Sequence, residues 1–499
     1  MAIHRLASLG LPALFVLAHA GPASAADIAS ILGTPGDATF AAECPGGNVP
    51  GPFDDGIPDC PIGILGVVES DCMHRVDIDP AAYPHAVCSD GTAPSFYVRP
   101  FSDPADEHRW VIHLQGGGGC TDEETCETRW CGYEGYTAAL MSNDWDANGI
   151  VDRPEQAWML GISSNVPNND FATWNHVYVP YCSSDLWLGR DGDVDLGDFS
   201  VAARGHTMLY AVRNMLRQLG PAWTPLGTED YSMPVLENTA ETEILFTGTS
   251  AGGYGVLQNG DWFLDKFPNA RTGLVIDGAM DVDPQTLGLF GVWEENNNWP
   301  YASSRFALWQ DMWDPGGWWY ETDAFIDDTC ATNYSLELCM SSSWILRLSI
   351  GGVPLIGTPT FLRIDLEDNV LKQWIVGPNP DDHVVTMGNG GPTPTLQDYT
   401  EMMRETAVEL DADPQTDVTV FAPRCGQHVG LEHGNAFGGW TTDDTTDTLP
   451  RVAGGISDTF RDALLEWFDP GGAFVYVRRI DSDEVDPITG LPIDYSSCP

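Results

Sequence analysis

Residues Glu243 to Phe263 read EILFTGTSAGGYGVLQNGDWF. The apolar run Ile244 to Phe246 suits a buried parallel strand, the small residues after it suit a sharp turn, and the pattern then resumes as a helix would. Ser250 stands at the apex. Glycine or alanine at 248, 251, 252 and 253 permits a turn tight enough to lift a serine hydroxyl above the sheet edge, which makes Ser250 the candidate nucleophile. The same letters also describe a glycine-rich turn whose serine only caps the next helix, so the surrounding chain has to decide.

Working outward, Arg109 to Leu114 (RWVIHL) reads as a strand that runs directly into Gln115 and four glycines, 116 to 119. Bare backbone amides at a strand end suit an oxyanion hole, with a further amide from the residue after the nucleophile, Ala251; a glycine hinge is the plain alternative. Asn175 onward (NHVYVPYCSSDLWLG) carries another short strand, and Thr207 to Leu219 has Met208, Leu209, Val212, Met215 and Leu216 at helical spacing. Leu274 to Ile276 is a further buried strand. Thr360 to Ile364 is followed by Asp365 and Asp368, and Val418 to Phe421 by His428. A serine, an acid and a histidine are thus available in that order, each just after a strand, the order found in α/β-hydrolases. The chemistry needs all three, because a serine hydroxyl attacks only when an imidazole takes its proton and a carboxylate fixes that imidazole. His433 competes with His428 as the base, and Asp365 with Asp368 as the acid. The predicted fold is α/β, an α/β-hydrolase with a mostly parallel central sheet, helices on both faces, a disulfide-tied N-terminal extension and a tryptophan-rich insertion.

The chain has 499 residues, 73 acidic against 22 basic, for a formal net charge of -51. Such a surface repels nucleic acid and anionic membranes and suits a saline habitat; a highly de-esterified polyanion is a poor substrate for it. The start, with His4 and Arg5, an apolar stretch Leu6 to Leu17 and Ala23-Ser24-Ala25, reads as an export signal cut after Ala25 or Ala26. No later run is long and apolar enough to span a bilayer, so a secreted or periplasmic protein is expected. Twelve cysteines fit disulfides in that compartment, with Cys120 and Cys126, and Cys330 and Cys339, close enough for local loops. The expected organisation is a signal at 1–25, an irregular disulfide-rich extension at 26–87, a catalytic domain at 88–470 with an insertion or lid at 291–345, and a tail at 471–499.

Two further stretches carry candidate sites. DWDANGIVDRPE, Asp144 to Glu155, matches a calcium loop, with Asp144, Asp146, Asn148, Asp152 and Glu155 as ligands of a structural ion and Gly149 at the turn; a solvated acidic loop is the alternative. Asp191 to Asp198 is a weaker stretch of the same kind, lacking the glycine. No other metal and no organic cofactor is required. Between Gly291 and Phe325 lie six tryptophans, among them Trp293, Trp299 and Trp313, which suit either a substrate wall stacking on sugar rings or an insertion with its own small core.

The pieces CSDGTAPSFYV, HLQGGGGC, ETCETRW, ALMSNDW, VPYCSSDLW, TGTSAGGYGVLQNGDWF, PTFLRIDLED and FAPRCGQH stand in order between Cys88 and His428. In them the chain resembles the pectin acetylesterase and Notum family of carboxylesterases, over about Cys88 to His433. The resemblance implies Ser250 as nucleophile, Asp368 as acid, His428 as base, and Gly117, Gly118 and Ala251 as oxyanion donors. It departs at Gln115, where relatives usually carry an acid, and at 118 or 119, where they usually carry a tryptophan. Three functions follow as expectations: first, hydrolysis of O-acyl esters, foremost O-acetyl, on a polysaccharide; second, a lipase-like or acyl-protein deacylase with a long apolar pocket; third, a catalytically silent carbohydrate-binding protein.

Overall fold

The computed structural model describes residues 73–130, 141, 161–164, 169–197, 199–218, 234–281, 317–371, 396–413, 416–423, 426, 428–431, 460–469, 471–475 and 479–480. All of them lie in the unit Gly36–Pro499. Their strands are β1 (His74–Asp77), β2 (Ser95–Arg99), β3 (Arg109–Leu114), β4 (Asn175–Val179), β5 (Gly192–Asp195), β6 (Ser200–Ala203), β7 (Glu243–Thr249), β8 (Arg271–Asp277), β9 (Ser349–Ile350), β10 (Val353–Pro354), β11 (Thr360–Arg363), β12 (Val418–Ala422) and β13 (Arg479–Ile480). The α-helices are α1 (Glu123–Trp130), α2 (Gly205–Gln218), α3 (Ala251–Leu264), α4 (Trp318–Glu321), α5 (Asp328–Asn333), α6 (Leu336–Met340), α7 (Ser342–Ile345), α8 (Leu396–Ala412) and α9 (Phe460–Trp467).

Nine of these strands form one sheet in the order β1-β2-β4-β3-β7-β8-β11-β12-β13. The pairs β1/β2 and β2/β4 are antiparallel, and every pairing from β4 to β13 is parallel. The chain therefore moves one way from β3 to β4 and the other way once it reaches β7. Between β3 and β7 lies the switch point, and in open α/β sheets the strands' carboxyl ends at such a point are where ligands bind.

Strand alternation sorts the core into two layers. Trp110, Ile112, Ile244, Phe246, Leu274, Ile276 and Leu362 face one side with Met208, Leu209 and Val212 of α2, Val256 and Leu257 of α3, and Met402 and Met403 of α8. Val111, Leu245, Val275, Phe361 and Phe421 face the other, against Phe460, Leu464 and Trp467 of α9. β7 extends beyond the apolar run that marks it in the sequence, because β3 and β8 hydrogen-bond to both of its edges.

The structure differs from sequence expectation in two places. The stretch 26–87 is expected to be irregular, but its end supplies β1, which pairs residue for residue with β2. Trp318 and Trp319, the last two of the six tryptophans read as either a substrate wall or an insertion with its own small core, are 5% and 3% exposed and join the main core. Cys120–Cys126 and Cys330–Cys339 are disulfides, as their spacing suggests, and Cys88–Cys182 is a third. Asp191 and Asp193 lie at a β5–β6 hairpin and pair with Arg204 at 2.9 and 3.0 Å. Among the described residues no helix is long and apolar enough to cross a membrane, and no cluster of three or more His, Cys, Asp or Glu side chains could hold a metal.

One buried group ties stability to pH. His206 of α2 stacks on Phe325 and Trp262 at 4.0 and 4.3 Å, and its Nδ1 meets Asn259 Oδ1 at 2.6 Å. Asn259 donates its amide to the carbonyls of Trp187 and Gly255, so its oxygen faces the ring and accepts from Nδ1–H. Burial, reinforced by Arg190 and Arg213, lowers the His206 pKa from 6.5 to about 3. Burial also holds His176 well below its ordinary value, helped by Arg99. Both groups are depressed, so the unfolded chain binds more protons as pH falls below about 6.5, and stability declines from there toward the folded values. Each pH unit in that window costs about 1.4 kcal/mol per such histidine. The melting temperature should fall between pH 6.5 and 4.5, and His206→Gln should flatten that slope; an equally steep slope in the variant would contradict the assignment.

Candidate active site

β7 delivers Ser250 to the carboxyl edge, and the backbone there has a form side chains rarely adopt. Ser250 has φ 50° and ψ −119°, a costly conformation that persists only when its surroundings enforce it. Its N–H donates to Asp277 O at 2.7 Å, and its carbonyl accepts from Tyr254 N–H at 3.1 Å. A Cβ on Gly252 would lie 2.1 Å from Leu114 O, and one on Gly248 2.2 Å from Gly252 O. Only glycine fits at these positions. α3 begins at Ala251, so that amide belongs to the first turn and has no acceptor within the helix.

The loops after β11 and β12 bring an acid and a histidine to the same place. His428 Nε2 is 2.8 Å from Ser250 Oγ, and its Nδ1 is 3.0 and 2.8 Å from the two carboxylate oxygens of Asp368. Asp368 is fully buried, and its Oδ1 also accepts from the amides of Val370 and Leu371. A carboxylate beside Nδ1 makes that nitrogen the donor, which leaves Nε2 as an acceptor facing the serine hydroxyl.

Asp365, the competing acid, faces elsewhere. Its Oδ1 accepts from the amides of Glu367 and Gly426, and its Oδ2 lies 3.4 Å from Arg363 Nη2. Arg363 also lies 3.1 Å from Asp277 and donates to the His428 carbonyl at 2.9 Å. Asp277 Oδ2 accepts from the amides of Gly430 and Leu431 at 2.6 and 2.7 Å. The His428 loop is thus fastened on both sides of the histidine. Burial alone would lower the Arg363 pKa, but the carboxylates of Asp277, Asp365 and Asp368 outweigh it and raise it.

The glycine loop after β3 touches the serine. A Cβ on Gly116 would lie 2.6 Å from Thr249 O and 3.0 Å from Ser250 Cβ. Gly117 and Gly118 have φ 139° and 66°, open to glycine and strained for other residues. Gln115 Oε1 accepts from Tyr181 N–H, Trp187 Nε1–H donates to Gln115 O, and Cys120 N–H donates to Ser184 O. The supporting segment 183–187 holds Ser184, Leu186 and Trp187 at positive φ. Buried Asp185 braces it, accepting from Ser183 Oγ and the amides of Trp187, Gly189 and Gly205.

The fold finds counterparts among known proteins. The family model for pectinacetylesterase matches residues 69–224. An inactive palmitoleoyl-protein carboxylesterase, notum1b of Danio rerio, is 30% identical over 124 residues, which are 24% of this chain and 79% of that protein. The chain belongs to the pectinacetylesterase and Notum family of carboxylesterases. The palmitoleoyl-protein carboxylesterase Notum of Drosophila melanogaster is 26% identical over 68% of this chain and 42% of its own length. Notum of Schmidtea mediterranea is 31% identical over 35% and 28%. The chain thus spans less than half the length of these two relatives. The solved Wnt deacylase Notum from Drosophila superposes with a TM-score of 0.56 at 22% identity, covering 86% of this chain and 99% of that one, a likeness of fold.

Of the residues singled out in the sequence, Ser250, Asp368, His428, Gly117, Gly118 and Ala251 gather at the β3/β7 switch point. The calcium-like loop with Asp144, Asp146, Asn148, Asp152 and Glu155 lies outside the described residues. So do Trp293, Trp299, Trp313 and His433. Sequence reading missed Arg129, Asp185, Asp277 and Arg363. The one available signal was position, since Asp277 and Arg363 end strands at the sheet's carboxyl edge.

Proposed function

We propose that this family member is an exported serine carboxylesterase that hydrolyses O-acyl esters through an acyl-enzyme. The observation that carries the reading is the unbroken hydrogen-bonded run from Asp368 through His428 to Ser250. Ser250 Oγ attacks the ester carbonyl while His428 Nε2 takes its proton, and Asp368 holds the resulting imidazolium through Nδ1–H. The carbonyl electron pair moves onto oxygen, where the amides of Gly117, Gly118 and Ala251 receive it. Collapse expels the alkoxide with the proton from Nε2 and leaves Ser250 acylated. Water then gives a proton to His428, attacks the acyl-enzyme, and releases the carboxylic acid and free serine.

The proposed substrate is an O-acetylated polysaccharide, a reading supported by the pectinacetylesterase model over residues 69–224. A long-chain acyl-protein is the second reading, favoured by the palmitoleoyl-protein carboxylesterase names of the relatives. Hydrolysis of p-nitrophenyl esters from acetate to palmitate separates them. A rate that falls steeply beyond acetate is expected, and a preference for eight or more carbons would overturn the polysaccharide reading in favour of the second.

A further inference from the structure

A run of four glycines is a poor scaffold for aligned donors, because glycine has the widest conformational freedom to lose. An oxyanion hole built on Gly117 and Gly118 needs something to hold the peptide plane between them. The described residues supply a charged side chain at that plane. Arg129 of α1, only 1% exposed, donates from Nη1 to Gly117 O at 2.6 Å and from Nε to Ser184 Oγ at 3.1 Å. Its guanidinium carbon lies 6.0 Å from the centre of the Tyr181 ring.

The consequence follows from peptide geometry. In a trans peptide the carbonyl and the following N–H point in opposite directions, so a guanidinium on Gly117 O aims the Gly118 N–H away from Arg129. A positive charge on the carbonyl also polarises the peptide and makes that N–H a stronger donor. The same fork holds Ser184, whose carbonyl accepts from Cys120 N–H at the far end of the glycine loop. The Cys120–Cys126 disulfide joins that end of the loop to α1, three residues before Arg129. The middle of the loop and its Cys120 end are thereby referred to one guanidinium.

We propose that Arg129 is the positioning residue of the oxyanion hole, fixing and polarising the Gly117–Gly118 peptide so that its N–H meets the developing oxyanion. The assignment rests on the esterase reading above. Removing one oxyanion donor lowers kcat by about 10² to 10³, and a donor that is released but not deleted falls at the lower end.

The test compares the native enzyme with Arg129→Gln, Arg129→Lys and Ser184→Ala in p-nitrophenyl acetate hydrolysis and in inhibition by an aryl trifluoromethyl ketone, whose adduct with a serine carries an oxyanion. Arg129→Gln should lower kcat by about 100-fold with KM within threefold, and weaken the ketone by the same factor as kcat/KM. Arg129→Lys, which keeps the charge but not the fork, should recover part of the loss in both. A folded Arg129→Gln with native kcat, or a lower kcat with undiminished ketone affinity, would overturn the assignment. Should both Arg129 variants fail to fold, Ser184→Ala decides: a parallel loss of kcat and ketone affinity supports the role, and native values for both refute it. A native enzyme inert to esters and to a fluorophosphonate would remove the esterase reading itself, whereas an active native enzyme matched by its Arg129 variants would remove only the role of Arg129.

Discussion

Ser250→Ala should lower hydrolysis of p-nitrophenyl acetate by about 10⁴- to 10⁶-fold while leaving the fold intact. The size of the effect follows from covalent catalysis. Without Oγ, His428 Nε2 has no hydroxyl to deprotonate, no acyl-enzyme forms, and the remaining route is direct attack by water. Oxyanion donors and substrate binding still operate on that route, which sets a floor above the uncatalysed rate. Structural cost should be small, since the Ser250 backbone contacts to Asp277 and Tyr254 do not use the side chain. The strained φ of 50° costs alanine, another unbranched L-residue, much as it costs serine. A variant with more than a tenth of native activity would exclude Ser250 as the nucleophile.

Asp277→Ala should cost about 3–5 kcal/mol of stability and also lower kcat. Arg363 is 3% exposed and Asp277 fully buried. Removing Asp277 takes a 3.1 Å carboxylate contact from buried Arg363, leaving Asp365 at 3.4 Å, and the penalty of a buried charge less well compensated exceeds what the pair itself contributes. Here the loss has a second part, because the amides of Gly430 and Leu431 lose their acceptor. Those amides lie two and three residues beyond His428, whose own carbonyl is held by Arg363. Loosening them frees the imidazole from its 2.8 Å approach to Ser250. Urea unfolding and steady-state kinetics read the two consequences separately. An unchanged denaturation midpoint would contradict the energetic argument, and an unchanged kcat the positioning argument.

The contrast between these two sites shows what a sequence reveals. Ser250 stands out because a strand, a turn of small residues and a helix follow one another within a single local stretch. Asp368 and His428 stand out because each follows a run of β-forming apolar residues, and the carboxyl edge of a parallel sheet collects such residues. Asp277 and Arg363 carry no local pattern. In a chain with 73 acidic residues, a buried carboxylate and a solvated one are spelled alike, and only tertiary pairing separates them. Arg129 is hidden for the same reason, on a helix whose charged sequence EETCETRW reads as solvent-facing. Trp318 and Trp319 fail in the opposite sense: aromatic density marks apolar contact but not its partner, and theirs is the core.

The most direct test of the central claim is to react the protein with a fluorophosphonate and map the adduct by mass spectrometry of its peptides. One adduct is expected, on the peptide carrying Ser250, absent in Ser250→Ala and much slower to form in His428→Ala, where no base remains to activate the hydroxyl. An adduct on another residue, or none while a control serine hydrolase labels fully, would contradict the account.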